Sequence, residues 1–128
     1  MNIHTFRPQR LNSLDFEMIE IILNKLKEWH VSTNIPKVVF MQGSGQKAFW
    51  AGGDIRSVYD AAVNGINPDT PQELIIKEYI AEYNMSIAKP ILITVWNGIV
   101  MGAGVGMLKI FFKFIKLKTS KSNFKCFI

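Results

Sequence analysis

The stretch Lys47-Ala48-Phe49-Trp50-Ala51-Gly52-Gly53-Asp54-Ile55-Arg56 constrains this chain more than any other. It follows an apolar run, Val38-Val39-Phe40-Met41, that reads as a strand buried on both faces. It precedes Ser57-Val58-Tyr59-Asp60-Ala61-Ala62, which can run on as a short helix. A Gly-Gly pair between strand and helix brings bare backbone to where a ligand can approach. The N–H groups at a helix start lack intrahelical acceptors and can receive negative charge. A second cluster, Gly98-Ile99-Val100-Met101-Gly102-Ala103-Gly104-Val105-Gly106, repeats the arrangement behind the apolar run Ile91 to Trp96. Two strand-to-glycine junctions at one edge of a parallel sheet face a common crevice, and each can offer a backbone N–H to one oxyanion. Close packing of helix on sheet is the competing explanation for small residues at these places.

The remaining chain supports an α/β layering with parallel strands and flanking helices. Residues 1–10 are mixed, with Arg7-Pro8-Gln9-Arg10 reading as a loop. A helix is expected from Leu14 to Trp29, capped by Asn12 or Ser13, with Leu14, Met18, Ile22 and Leu26 on one stripe. Asn64 to Asp69 is turn-rich. Thr70-Pro71-Gln72-Glu73 then opens a second long helix with the pattern of a capping box, and Lys89-Pro90 ends it. Its expected inward stripe is Ile76, Ile80, Tyr83 and Ile87. A further helix is expected from Ala103 to Leu117. Gly43-Ser44-Gly45 does not complete a dinucleotide fingerprint, because position 48 is Ala.

Charge narrows the partners. The formal net charge is +5, but residues 1–108 sum to −1 and residues 109–128, with six Lys and no acid, to +6. The body therefore has no electrostatic footprint for nucleic acid. With one cysteine, Cys126, no disulfide framework or Cys-based metal site forms within the chain. No run of about 20 apolar residues is present to span a bilayer.

Lys47-Ala48-Phe49-x-Ala51-Gly52-Gly53-Asp54-Ile55-Arg56, with Lys89-Pro90, Asn97-Gly98 and Met101-Gly102-Ala103-Gly104-Val105-Gly106, resembles the enoyl-CoA hydratase/isomerase (crotonase) superfamily. Arg7-Pro8-Gln9-Arg10-Leu11-Asn12-Ser13-Leu14 matches its opening loop and helix. Gly-Gly-Asp-Ile-Arg, Lys77-Glu78-Tyr79 and Gly106 make it most similar to the 3-hydroxyisobutyryl-CoA hydrolases within that superfamily, since a hydratase carries a catalytic Glu where this chain has Gly106. The resemblance implies part of a crotonase-like spiral domain over residues 1–108. It implies hydrolysis of an acyl-CoA thioester in valine breakdown, with no metal and with coenzyme A as part of the substrate rather than a cofactor. It assigns the backbone N–H groups of Gly53 and Ala103 to the carbonyl oxygen, Ala51 and Gly52 to the CoA groove, and Glu78 and Ala103 to substrate contact. Asp54 is expected as a structural cap. Mitochondrial location and oligomeric assembly of full-length members are further implications, although Met1 to Arg10 show no transit peptide and the family's initial pair of strands is not visible. Alternatives are an enoyl-CoA hydratase or isomerase, and a non-catalytic CoA-binding fragment.

After Leu108 the family pattern stops. Residues 109–128 are almost entirely Lys, Phe, Ile, Ser and Asn, the composition expected of translated non-coding sequence. They are expected to form a Lys/Phe/Ile-rich tail foreign to the family, for which a basic amphipathic membrane-surface helix is the weaker alternative. The hydrolases' catalytic Glu and Asp belong beyond this point, so the 128 residues are expected to be inactive alone.

Overall fold

The computed structural model describes residues 1–64, 70–102, 104–106 and 126–127. Its strands are β1 (Asn2–Thr5), β2 (Val38–Gly43), β3 (Ala48–Trp50), β4 (Ile91–Val95), β5 (Ile99–Met101) and β6 (Cys126–Phe127). Its α-helices are α1 (Phe16–Val31), α2 (Ile55–Val63) and α3 (Thr70–Ser86). The strands form two three-stranded sheets, ordered β1-β2-β4 and β3-β5-β6, with every pairing parallel. The expected Ala103–Leu117 helix lies outside the described residues except for a helical start at Gly104 to Gly106.

The first sheet corrects the reading of residues 1–10. Asn2–Thr5 add a strand alongside β2, with Ile3 opposite Met41 and Thr5 opposite Gly43. It was hidden because only Ile3 and the buried Thr5 turn inward, while Asn2 and His4 face out. β2 buries one face rather than two: Val39, Met41 and Gly43 are inside and Phe40 is exposed. Opposite Phe40 and Val38 stand Ile93 and Ile91 of β4.

α1 starts two residues later than the expected Leu14, because Asp15, not Asn12 or Ser13, is its cap. The Asp15 carboxylate accepts from the Met18 N–H at 3.0 Å, satisfying one of the orphan donors of the first turn. Its buried row is Ile19, Leu23, Leu26 and Trp29, with Met18 and Ile22 at the margin. These residues close on Val39 and Met41 of β2, Leu92 of β4 and Met85 of α3 in one core. Phe49 and Trp50 of β3 join that core edge to face, with ring centroids 5.9 Å apart. Lys77 fixes α3 on α1 by reaching the carboxylates of Glu20 and Glu73 and lying over the Phe16 ring.

α3 turns a different side inward from the one its stripe suggested. Ile76 and Tyr83 remain 57% and 64% exposed, and Ile80 and Ile87 are exposed as well. Leu74, Ala81 and Met85 are buried instead, at helical spacing. This rotation carries Glu78 and Glu82 toward the interior, and the site depends on it.

Candidate functional site

The first glycine junction follows β3, not β2. Gly43 and Gly45 turn the chain back on itself; a Cβ on Gly43 would lie only 2.4 Å from the Ala48 carbonyl oxygen. β3 then pairs with β5 in the second sheet, and β5 is the strand that leads into the second junction. The two junctions thus leave neighbouring parallel strands on the same side, as expected, but from the β3-β5-β6 sheet rather than from β2 and β4. Gly98, with φ +83, lets β5 approach β3: a Cβ there would lie 2.2 Å from the Lys47 carbonyl oxygen.

The Ala51–Asp54 backbone is tied to the segment before α1. The Ala51 N–H donates to Leu11 O (3.2 Å), the Leu14 N–H to Gly52 O (2.8 Å) and the Asp54 N–H to Leu14 O (2.8 Å). In this alternating pairing the Gly53 N–H points away from Leu14, and among the described residues it has no acceptor. Gly53 stands one residue before the cap of α2, where the helix dipole favours negative charge.

Asp54 holds that geometry. One carboxylate oxygen accepts from the Ser57 N–H (3.2 Å), capping α2, and the other accepts from Arg7 Nη2 (2.7 Å). Arg7 also donates to Ser13 O (2.9 Å) and pairs with Asp15 (3.1 Å). Burial pushes the Asp54 carboxyl up, but the Arg7 guanidinium and the Ser57 hydrogen bonds outweigh it and hold the group below its ordinary range. A buried, paired carboxylate of this kind is a fixed cap, as its sequence position suggested.

The second junction closes against the first. At Gly102 (φ +57) the chain turns, and a Cβ there would sit 3.4 Å from Gly52 Cα. Gly104 lies so near Trp50 that its Cβ would come within 2.9 Å of the Trp50 carbonyl oxygen. The N–H groups of Val105 and Gly106 donate to Gly102 O at 2.8 and 3.3 Å, beginning a helical turn. Ala103, assigned to the oxyanion and to substrate contact, lies outside the described residues.

Across from both junctions stand the carboxyls of α3. Glu78 Oε2 is 3.5 Å from where a Gly53 Cβ would be, ordinary contact distance. Burial and the charge of Glu82 push the Glu78 carboxyl up, and burial does the same to Glu82. The structure therefore brings Gly52, Gly53, Glu78 and Gly102 together, with Ala51 half-buried beside them. Glu82 was missed as a member of this group. The signal was its i,i+4 relation to Glu78, which places both acids on one side of a helix. A stripe of Ile76, Ile80, Tyr83 and Ile87 turned inward would aim that side outward. A cleft of about 330 Å³ between β1 and α1, lined by Thr5, Phe6, Met18, Ile21 and Ile22, contains neither the glycine junctions nor these acids. Among the described residues no group of three or more His, Cys, Asp or Glu is placed to hold a metal, and no helix is long and apolar enough to cross a membrane.

Chemically, the arrangement offers an N–H at a helix entrance with no acceptor among the described residues, and two carboxyls inclined to hold protons. That set suits a ligand carbonyl whose oxygen gains charge. A family model described as enoyl-CoA hydratase/isomerase matches residues 2–115. A mitochondrial 3-hydroxyisobutyryl-CoA hydrolase of Xenopus laevis is 40% identical over 101 residues, covering 79% of this chain and 26% of the relative. The Bos taurus protein of the same name is 38% identical over 103 residues, covering 79% and 25%. The chain spans about a quarter of the length of these curated relatives. Among solved structures, an enoyl-CoA hydratase from Bacillus anthracis superposes with a TM-score of 0.76 at 25% identity, over 90% of this chain and 42% of that one. A carnitinyl-CoA dehydratase from Mycobacterium thermoresistibile gives 0.72 at 25% identity, over 81% and 30%.

Proposed function

The chain belongs to the enoyl-CoA hydratase/isomerase family and has part of the crotonase fold; from that premise we propose that it binds an acyl-CoA thioester and polarises its carbonyl. The Gly53 N–H is one donor to the thioester oxygen and the Ala103 N–H the other. Ala51 and Gly52 line the path of the CoA moiety, and Glu78 contacts the acyl end. One observation carries this reading: the Gly53 N–H has no acceptor among the described residues, while its neighbours on either side are tied down by hydrogen bonds.

The reaction in which such binding serves is hydrolysis of a 3-hydroxyisobutyryl-CoA-like thioester in the complete protein, as the names of the relatives suggest. Charge on the thioester oxygen rises as water attacks the carbonyl carbon, and each backbone donor aimed at that oxygen contributes roughly a hundred- to a thousand-fold in rate. Activation of the attacking water falls to carboxylates that the family resemblance assigns outside residues 1–108, and binding and polarising the thioester is the part proposed for the residues described. A mitochondrial setting and a place in valine breakdown are part of the same proposal.

Calorimetric titration of the chain with 3-hydroxyisobutyryl-CoA tests it. Gly53→Pro removes the N–H and is expected to weaken binding by about five- to tenfold, the scale of one lost neutral hydrogen bond. Gly53→Ala keeps the N–H and puts its methyl at ordinary contact distance from Glu78, so it is expected to bind nearly as well as the parent. Equal binding by the parent and Gly53→Pro would reject the assignment.

A further inference from the structure

We propose that Glu82 reads the acyl group of the bound thioester, its carboxyl accepting a hydrogen bond from a hydroxyl on the acyl chain in space left open by Gly106. This rests on the acyl-CoA reading above and assigns to that site a specificity-determining residue.

The argument starts at Gly106. A Cβ built there would lie 2.6 Å from Glu82 Oε1, 3.4 Å from its Cδ and 3.7 Å from Oε2. The head of Glu82 therefore fills the volume in which any side chain at position 106 would begin. Gly106 has no left-handed backbone to explain it, unlike Gly102 at φ +57. Space, not conformation, requires glycine at 106, and what uses the space is a carboxyl from another element.

That carboxyl stands in line with Glu78 on the side of α3 that faces the glycine junctions. Glu82 lies one turn beyond Glu78, so the two Cβ atoms are about 5–6 Å apart along α3. Glu78 faces Gly53 of the first junction and Glu82 faces Gly106 of the second. Among the described residues neither carboxyl has a hydrogen-bond donor or an ion-pair partner. A partly buried acid without a partner is costly, and a donor brought by a ligand relieves that cost.

The charge decides which part of the ligand fits. Two acids side by side repel the phosphates of coenzyme A, so the neutral acyl end faces them. A plain alkyl chain leaves Glu82 unsatisfied, whereas a hydroxylated one donates to it. Sites that bond a substrate hydroxyl discriminate against analogues lacking it for this reason. At a partly buried position the expected discrimination is about tenfold, the scale of one hydrogen bond.

The test is calorimetric titration of the 128-residue chain with a 3-hydroxyacyl-CoA and with the same acyl-CoA lacking the hydroxyl. The parent is expected to favour the hydroxylated ligand about tenfold. Glu82→Ala removes the carboxyl, and Gly106→Ala displaces it without altering Glu82; each is expected to bring the ratio near one, whereas Glu82→Gln, which keeps an acceptor, retains most of it. A general loosening of the fold weakens both ligands together and leaves the ratio in place. A parent ratio near one, or a ratio that survives both Glu82→Ala and Gly106→Ala, overturns the inference while leaving acyl-CoA binding intact. Failure of the parent to bind either ligand overturns the acyl-CoA reading itself, and this inference with it.

Discussion

Asn12→Ala is expected to bring the fold close to collapse, because one buried amide joins three segments. Asn12 is fully buried. Its Nδ2 donates to Ser44 O at 2.9 Å and to Ala48 O at 2.8 Å, and its Oδ1 accepts from the Arg7 N–H at 3.0 Å. Removing the amide leaves the buried Ala48 carbonyl without this donor, at a cost of about 1–3 kcal/mol. The Ser44 carbonyl and the Arg7 N–H are nearer water, and losing their partner costs about 1 kcal/mol each. Asn12 also sits in left-handed backbone, φ +55. Alanine lacks the local hydrogen bonding that makes Asn tolerable there, which adds about 1 kcal/mol. The total, about 4–6 kcal/mol, compares with a typical domain stability of about 5–15 kcal/mol. Urea unfolding followed by tryptophan fluorescence measures it, since Trp29 and Trp50 are buried. The midpoint is expected to fall by on the order of 2 M with little change in slope. Asn12→Asp is the companion: it keeps an acceptor for Arg7 but turns carboxylate oxygen toward two carbonyls, so it is expected to be at least as damaging. A loss below about 1 kcal/mol in Asn12→Ala, or a milder Asn12→Asp, would refute the reasoning.

The other predictions concern stability and its pH dependence. Asp54→Ala removes the α2 cap and the Arg7 partner together; with Arg7 still able to reach Asp15, a loss of about 2–3 kcal/mol is expected in denaturant titrations at neutral pH. The folded Asp54 carboxyl is held low, so its contribution is present above the unfolded value of about 3.9 and is lost as pH falls through the folded value; the gap between parent and variant should close in acid. Glu78 and Glu82 act in the opposite sense. Their folded carboxyls are pushed up, so the native state binds more protons, and stability falls as pH rises from about 4.3 through the folded values. The double variant Glu78→Gln with Glu82→Gln should flatten that slope in a series of thermal melts, and an unchanged slope would count against the pair. Gly98→Ala drives a methyl into the Lys47 carbonyl at a φ of +83 and is expected to lower stability by roughly 2–4 kcal/mol, read as a drop in melting temperature.

The sequence revealed the elements whose periodicity admits one answer. In α1, apolar residues recur at helical spacing from Met18 to Trp29 with charges on the far side, so the type was readable and each end fell within two residues. The Ile91–Val95 strand was readable for a similar reason, whereas the three-residue strands β3 and β5 that lead into the glycine junctions are too short to show a period, so the junctions read as following Val38–Met41 and Ile91–Trp96 instead. α3 was not readable in orientation, because Ile75, Ile76, Tyr79, Ile80 and Tyr83 distribute apolar character around the helix and periodicity selects no single face. That ambiguity hid Glu82, whereas Glu78 was accessible only through family resemblance. β1 was hidden because a four-residue edge strand needs only two inward residues. Asn12 reads as a helix cap because side chains that cap helices also suit left-handed turns; its bonds to Ser44 and Ala48 depend on segments more than thirty residues away.

Polarisation of a thioester carbonyl by the Gly53 N–H is best tested on the bond itself. Infrared difference spectra of a 3-hydroxyacyl-CoA labelled with carbon-13 at the thioester carbonyl isolate that stretch in the bound ligand. The parent chain is expected to shift it to lower frequency than in water, and Gly53→Pro, checked for retained fold by circular dichroism, to return it most of the way. An unshifted carbonyl in the parent complex, or the same downshift in Gly53→Pro, would contradict the account.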